Sequence, residues 1–351
     1  MTVLVASVLC AVALAGPPAA GSAPLFPVVQ GGKWGYVDRA GRVVVSPRFD
    51  EAERFSEGLA PVRTGKQPGY ADETGKVVLV PGFAPAGGTL HRRFSGGRAA
   101  VRSGARLGFI DRTGRLAVPA RWLTAEDFSE GRALVCDEQG CGFVDPEGRY
   151  AFVQDAMGGT SYRNGIASII LAMGMSHRRT AFLDYSGSVI PGQYEGNGSY
   201  SEGLAPVRFR GTWGYVDRAG KPLIQNLFQE AGDFSEGLAA VTLDAGRCGY
   251  VDRSGKLAIP ARFASCHPFS GGLALVDLSE QPSDGERVAF VDRDGRVVIR
   301  GDASQPPFRY ASDFADGLAM VGDGPLELAG QGQVRIGYVD GEGRFVWPLQ
   351  R

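Results

Sequence analysis

Apolar positions in this chain fall into short runs that recur from end to end. Leu59-Ala60-Pro61-Val62, Trp34-Gly35-Tyr36-Val37 and Val43-Val44-Val45 are typical, each bounded by Gly, Pro or Asp. Runs of this length, rich in β-branched and aromatic residues, read as strands. Within Trp34–Asp38 the two-residue period points Trp34, Tyr36 and Asp38 one way and Gly35 and Val37 the other. Both faces carry apolar residues, so both are expected to be covered.

The runs belong to one unit repeated nine times. Its signature is Gly-aromatic-Val-Asp-x-x-Gly-basic, as in WGYVDRAGR from Trp34, LGFIDRTGR from Leu107 and IGYVDGEGR from Ile336. The aspartates are Asp38, Asp72, Asp111, Asp145, Asp184, Asp217, Asp252, Asp292 and Asp340, spaced 33 to 48 residues apart. Three residues after each stands a glycine: Gly41, Gly75, Gly114, Gly148, Gly187, Gly220, Gly255, Gly295 and Gly343. Asp can bond backbone N–H groups just downstream and Gly tolerates positive φ, which predicts a short hairpin turn in every unit. A Lys or Arg follows the glycine except at Ser188, and Arg42 is placed to pair with Asp38.

A second string alternates with the first. It reads FSEGLAPV from Phe55, FSGGRAAV from Phe94, FSEGLAAV from Phe234 and FADGLAMV from Phe314. There are eight such copies, and Leu25-Phe26-Pro27-Val28 supplies a partial ninth. The residue before the recurring aromatic is Gly except at Ala181 and Ala289. Something bulky must approach there, and the Phe of the second string is the expected neighbour. Pro61 and Pro206 lack the N–H a ladder needs, so the strand should be open to solvent or at an edge there. The fold class is therefore all-β, a tandem array of nine three-stranded units. An open or spiralling solenoid is expected, because propeller blades usually have four strands and number four to eight. The alternative is a closed, propeller-like ring.

These strings resemble the bacterial WG repeat family, from about Leu25 to Pro348, although the Trp itself is kept only at Trp34 and Trp213. The resemblance implies a β-rich repeat array and leaves activity open.

Composition changes the picture in three places. The 52 Gly and 21 Pro among 351 residues are accounted for by turns, and 44% hydrophobic residues can form a core. A net charge of −1 excludes a strongly basic nucleic-acid footprint. The uncharged stretch Thr2–Ala15 and the small residues after it read as a secretory signal over residues 1–23, cleaved after Ala15 or Ala23. The array then spans 24–351, with 151–200 its most degenerate part. No later apolar run is long enough to cross a bilayer. The expected location is periplasmic, cell-envelope or extracellular. Four cysteines remain after the signal, and in an exported chain they predict Cys136–Cys141 and Cys248–Cys266 disulfides.

Candidate chemistry is sparse. His91, His177 and His267 do not recur between units and read as loop residues. No nucleophile elbow, zinc-protease pair, phosphate loop or dinucleotide fingerprint is present. Asp292-Arg293-Asp294-Gly295 is a repeat turn without the later ligands of a calcium loop. Glu57, Glu130, Glu202 and Glu236 read as turn-solvating residues, and the recurring aromatics as core. No cofactor, metal or catalytic residue is expected. The degenerate segment holds Met157, Met173 and Met175, and the insertions at 84–93, 277–287, 300–310 and 322–335 are candidate binding loops. The leading expectation is a non-enzymatic exported scaffold that binds a protein or a cell-surface polymer. The alternatives are a glycan or cell-wall binder using exposed aromatics and, more remotely, a hydrolase with a site near His177.

Overall fold

The computed structural model describes residues 23–173, 177–243, 246–280, 287–325, 328–329 and 333–350. The leader thus lies outside the described residues apart from Ala23. Among the described residues every regular element of length is a β-strand, and every sheet is antiparallel. The nine units appear as seven separate sheets and one merged sheet.

Unit 2 shows the plan. A two-residue strand, Glu51–Ala52, pairs with Ala60–Thr64, which pairs with Gln67–Ala71, which pairs with Val77–Leu79. The units are therefore four-stranded, not three-stranded. The short first strand escapes the sequence pattern because two residues carry no period. Unit 1 alone keeps three strands, Phe26–Gln30, Lys33–Val37 and Val43–Phe49. Units 4 and 5 share the ten-residue strand Tyr150–Gly159. Its first half pairs with Cys141–Val144 and its second half with Ile166–Met173. The degenerate segment is thus a place where one strand serves two units.

The middle strands are buried on both faces, as the apolar run Trp34–Val37 requires. The last strand of each unit is the exposed margin, where Val43, Val44, Val77, Val78, Val297 and Val298 face solvent. Pro61 accepts a backbone hydrogen bond from Glu53. The ladder pairs of the short strand are at Val62 and Arg63, so Pro61 lies just past its end. In the equivalent place, the N–H groups of Ser168 and Met320 go to the hydroxyls of Thr160 and Ser312. A proline there leaves no ladder bond unmade.

The glycine before the aromatic makes room for backbone, not for the Phe. A Cβ on Gly108 would stand 2.6 Å from Val118 O and 2.7 Å from Ala120 N. The crowding arises because the last strand bulges there, between Leu107↔Trp122 and Phe109↔Val118. Ala289 is tolerated because its pairing with Arg300 continues to Phe290↔Ile299 without that bulge. Ala181 faces a bulge that carries Gly192, with φ of 133°, where unit 1 has Pro47.

The Phe instead packs on the recurring aromatic of the preceding unit. Centroid distances are 4.7 Å for Tyr36–Phe55, 4.8 Å for Tyr70–Phe94, 4.9 Å for Tyr215–Phe234 and 4.8 Å for Phe290–Phe314. Hydrophobic clusters accordingly straddle neighbouring units, as Leu204, Tyr215 and Phe228 with Phe234, Ala239 and Val251.

Comparable contacts join the last unit to the first, with the strand residue Phe26 in the part that a turn Phe plays elsewhere. Tyr338 packs on Phe26 at 5.4 Å, and its hydroxyl donates to Pro27 O at 3.0 Å, as Tyr36 donates to Glu53 O at 2.8 Å. Phe26, Val28 and Val37 share a core with Leu318, Tyr338 and Trp347. Arg39 lies against Gly317, as Arg253 lies against Gly203 and Arg293 against Gly237. The array is therefore a closed ring of nine blades, and the open solenoid is corrected in favour of its alternative. A solenoid would leave Phe26 and Tyr338 on exposed ends, and burying them against each other closes the ring.

Candidate functional site

The Asp-x-x-Gly turns repeat nine times around the ring. Asp38 Oδ1 accepts the N–H groups of Ala40 (2.9 Å) and Arg42 (3.0 Å), and Asp38 O accepts Gly41 N–H at 2.9 Å. The same bonds occur at Asp72, Asp111, Asp145, Asp184, Asp217, Asp252, Asp292 and Asp340. The glycine has φ between 77° and 91° at all nine positions. The Arg42 N–H, foremost, holds the Asp38 carboxyl below its ordinary pKa, as the Ser254 hydroxyl does for Asp252. These carboxylates are occupied by their own turns. Asp294 pairs with Arg296, and among the described residues no group of three or more His, Cys, Asp or Glu could hold a metal ion.

The Ser-Glu-Gly string folds as a two-residue turn with positive φ at both central positions, 52° at Glu57 and 76° at Gly58. Its side chains reach the next unit. Ser56 Oγ donates to Phe94 O at 2.6 Å, and Ser235 Oγ to Phe269 O at 2.6 Å. Glu130 accepts the N–H groups of Asn164 (2.6 Å) and Gly165 (2.7 Å) on the following turn. Glu57, Glu202 and Glu236 do the same toward Gly97, Gly237 and Gly272, at 3.1, 3.0 and 3.0 Å. These glutamates are inter-unit ties as well as turn residues. The sequence signal is one slot, held by Glu, Gly, Asn or Asp from unit to unit.

The loops after the short strands line the inner margin of the ring. There the Glu53 carboxyl feels Asp127, two units away. Arg92 lies 3.7 Å from Asp127, Arg93 3.9 Å from Glu53, and His267 Nδ1 2.9 Å from Asp313. Burial raises the pKa of Glu53 and Asp233, while the Asp313 hydrogen bond raises that of His267. The margin holds charge of both signs.

His91 lies in a loop, as expected, but it is buried. It is 1% exposed, its ring stacks on Tyr70 at 5.5 Å, and neither nitrogen has a hydrogen-bond partner. Burial pushes its pKa down to about 4. The side chains of His177, Met173 and Met175 lie outside those described, so the hydrolase reading has no described group to rest on. Met157 is exposed.

The recurring aromatics Tyr36, Tyr70, Phe109, Phe143, Phe182, Tyr215, Tyr250, Phe290 and Tyr338 are all at most 1% exposed. Trp34, Trp122 and Trp347 are buried too. These rings offer no face to a sugar, whereas Tyr150, Tyr185 and Phe209, outside the recurring set, are exposed.

Both cysteine pairs are bonded. Cys141 and Cys248 occupy the slot that Trp34 and Trp213 fill in other units. Cys136–Cys141 bridges two paired strands of unit 4. Cys248–Cys266 crosses from unit 7 to the short strand of unit 8, beside a groove of about 330 Å³ that Gly232, Ala240 and Ala264 help to line.

Comparison with known proteins agrees with this geometry. The model of the WG containing repeat matches residues 34–67, 108–139, 188–213, 213–245 and 249–278. The chain is a WG repeat protein. Among solved structures, the WG repeat ring is similar to one described as a eukaryotic initiation factor. They share 11% identity over 94% of this chain and 98% of the other, with a TM-score of 0.60. BamB from Moraxella catarrhalis matches at 11% identity over 80% of this chain and 92% of its own, with a TM-score of 0.44. AztD from Citrobacter koseri matches at 12% over 92% of each chain, with a TM-score of 0.44. The first of these likenesses concerns fold alone. No curated protein sequence matches the chain.

Proposed function

We propose that this WG repeat protein is an exported, non-enzymatic scaffold that holds a partner protein on the surface of its ring. The observation that carries the reading is how the recurring polar groups are used. The turn aspartates, the serines and the glutamates are engaged in holding turns and units together, which leaves a broad rigid surface. Two disulfides favour an oxidising compartment. No helix among the described residues is long and apolar enough to cross a membrane. The test is chemical cross-linking of the tagged, oxidised protein in envelope extract, followed by titration of the purified partner. Saturable one-to-one binding is expected. Failure to retain any envelope protein, together with turnover of a generic esterase or glycosidase substrate, overturns the reading.

A further inference from the structure

Each Ser-Glu-Gly turn leaves the N–H groups of its two central residues pointing away from the hairpin, since the turn's own bonds use only the flanking pair. Ser56 and Leu59 exchange both of theirs. Two successive N–H groups in such a turn form a small anion-accepting concavity. In four units that concavity holds a carboxylate from the preceding unit. Glu57 fills the one at Gly97, Glu130 that at Gly165, Glu202 that at Gly237 and Glu236 that at Gly272. The hairpin at Arg210–Gly211 repeats the arrangement with Glu195, at 3.0 and 2.9 Å.

The turns at Gly58, Gly131, Gly203 and Gly317 have the same backbone, with φ of 76°, 76°, 84° and 83°. Among the described residues no carboxylate reaches them. The reason is in the preceding units. Unit 1 begins without this turn, and the slot that would carry the glutamate is Gly96 before Gly131, Asn164 before Gly203 and Gly271 before Gly317. These turns are partly or fully exposed. Gly58, Gly203 and Gly317 each have a guanidinium at their side, from Arg112, Arg253 and Arg39, of which Arg112 and Arg253 also pair with Glu57 and Glu202 of those turns.

We infer that the four unfilled turns are docking points for carboxylates of a partner, an acidic protein segment that presents Asp or Glu side chains to the turn-bearing face of the ring. The precedent is internal, because the same turn with the same backbone binds a carboxylate elsewhere in this molecule. A carboxylate accepting such N–H groups makes charge-assisted bonds, stronger than neutral ones. The glutamate slot then divides the units into those that tie the ring and those that leave an acceptor site for others. This deepens the scaffold reading and rests on it, but it is tested by a separate measurement.

The test is an amide-resolved NMR titration of the oxidised full chain with capped hexaglutamate, with capped hexaglutamine as control. Saturable shifts are expected at Gly58, Gly131, Gly203 and Gly317 and not at Gly97, Gly165, Gly237 and Gly272. Asn164→Glu fills the Gly203 turn from within and abolishes its response alone, whereas Asn164→Gln preserves it. Asn164 is exposed and its Nδ2 donates to Tyr200 O at 3.0 Å, a bond that Asn164→Gln can keep and Asn164→Glu cannot. Equal shifts at filled and unfilled turns, shifts with hexaglutamine, no shift at all, or an unchanged Gly203 response in Asn164→Glu overturns the inference. A failed cross-linking experiment with a positive titration would reject the scaffold and keep the carboxylate sites.

Discussion

At the scale of single residues, the ring depends on small volumes and on one buried base. Gly108 admits the bulged backbone of Val118–Ala120. Gly108→Ala should cost about 1–3 kcal/mol through overpacking, read as a lowered urea midpoint. Ala289→Gly, in the unit without that bulge, should cost less than about 1 kcal/mol. His91 makes stability depend on pH. Its folded pKa of about 4 lies below the unfolded value of 6.5, so the unfolded chain binds the proton first. Stability is full above pH 6.5 and falls as pH drops toward about 4, by up to about 3 kcal/mol. His91→Phe, which keeps a ring on Tyr70, should flatten that part of a stability-against-pH curve. The turn aspartates were legible because Asp and Gly sit at a fixed offset in every unit. The burial of His91 was not, since nothing local to Leu90–Arg92 says that Tyr70 will cover it.

At the scale of strands and units, alternation exposed the long strands and hid the short ones. The Leu-Ala-x-Val and Gly-aromatic runs announce themselves by composition, whereas Glu51–Ala52 is recognised only by its pairing with Val62 and Arg63. The two cysteine pairs were readable from compartment and spacing, but their inequality was not. Cys248–Cys266 links two units across 18 residues, and Cys136–Cys141 closes only five within one hairpin. Replacing Cys248 and Cys266 by serine should lower stability by about 3 kcal/mol, and replacing the other pair should cost less. Equilibrium urea unfolding of the two double variants checks the order.

At the scale of the molecule, closure is the property that local pattern did not reveal. Phe26 and Tyr338 are 312 positions apart in the chain, and only the completed circle brings their rings together. A circular permutant that joins residue 350 to residue 23 through a flexible linker, and opens at the exposed Gly65–Lys66 turn, should fold with a urea midpoint close to that of the parent. A solenoid permuted in this way would have to rebuild a seam it never had, and would lose cooperativity.

Among the described residues the junction of units 9 and 1 is held by side chains and one tyrosine hydroxyl, and no peptide links one blade directly to the other. Every other junction has the chain itself as a tether, which keeps parted blades at high local concentration. Here, once separated, the two blades have no leash to draw them together. This junction should therefore act as the gate of the circle, with the amides of Phe26–Val37 and Ile336–Gln350 exchanging with solvent deuterium ahead of those at the disulfide-stitched side.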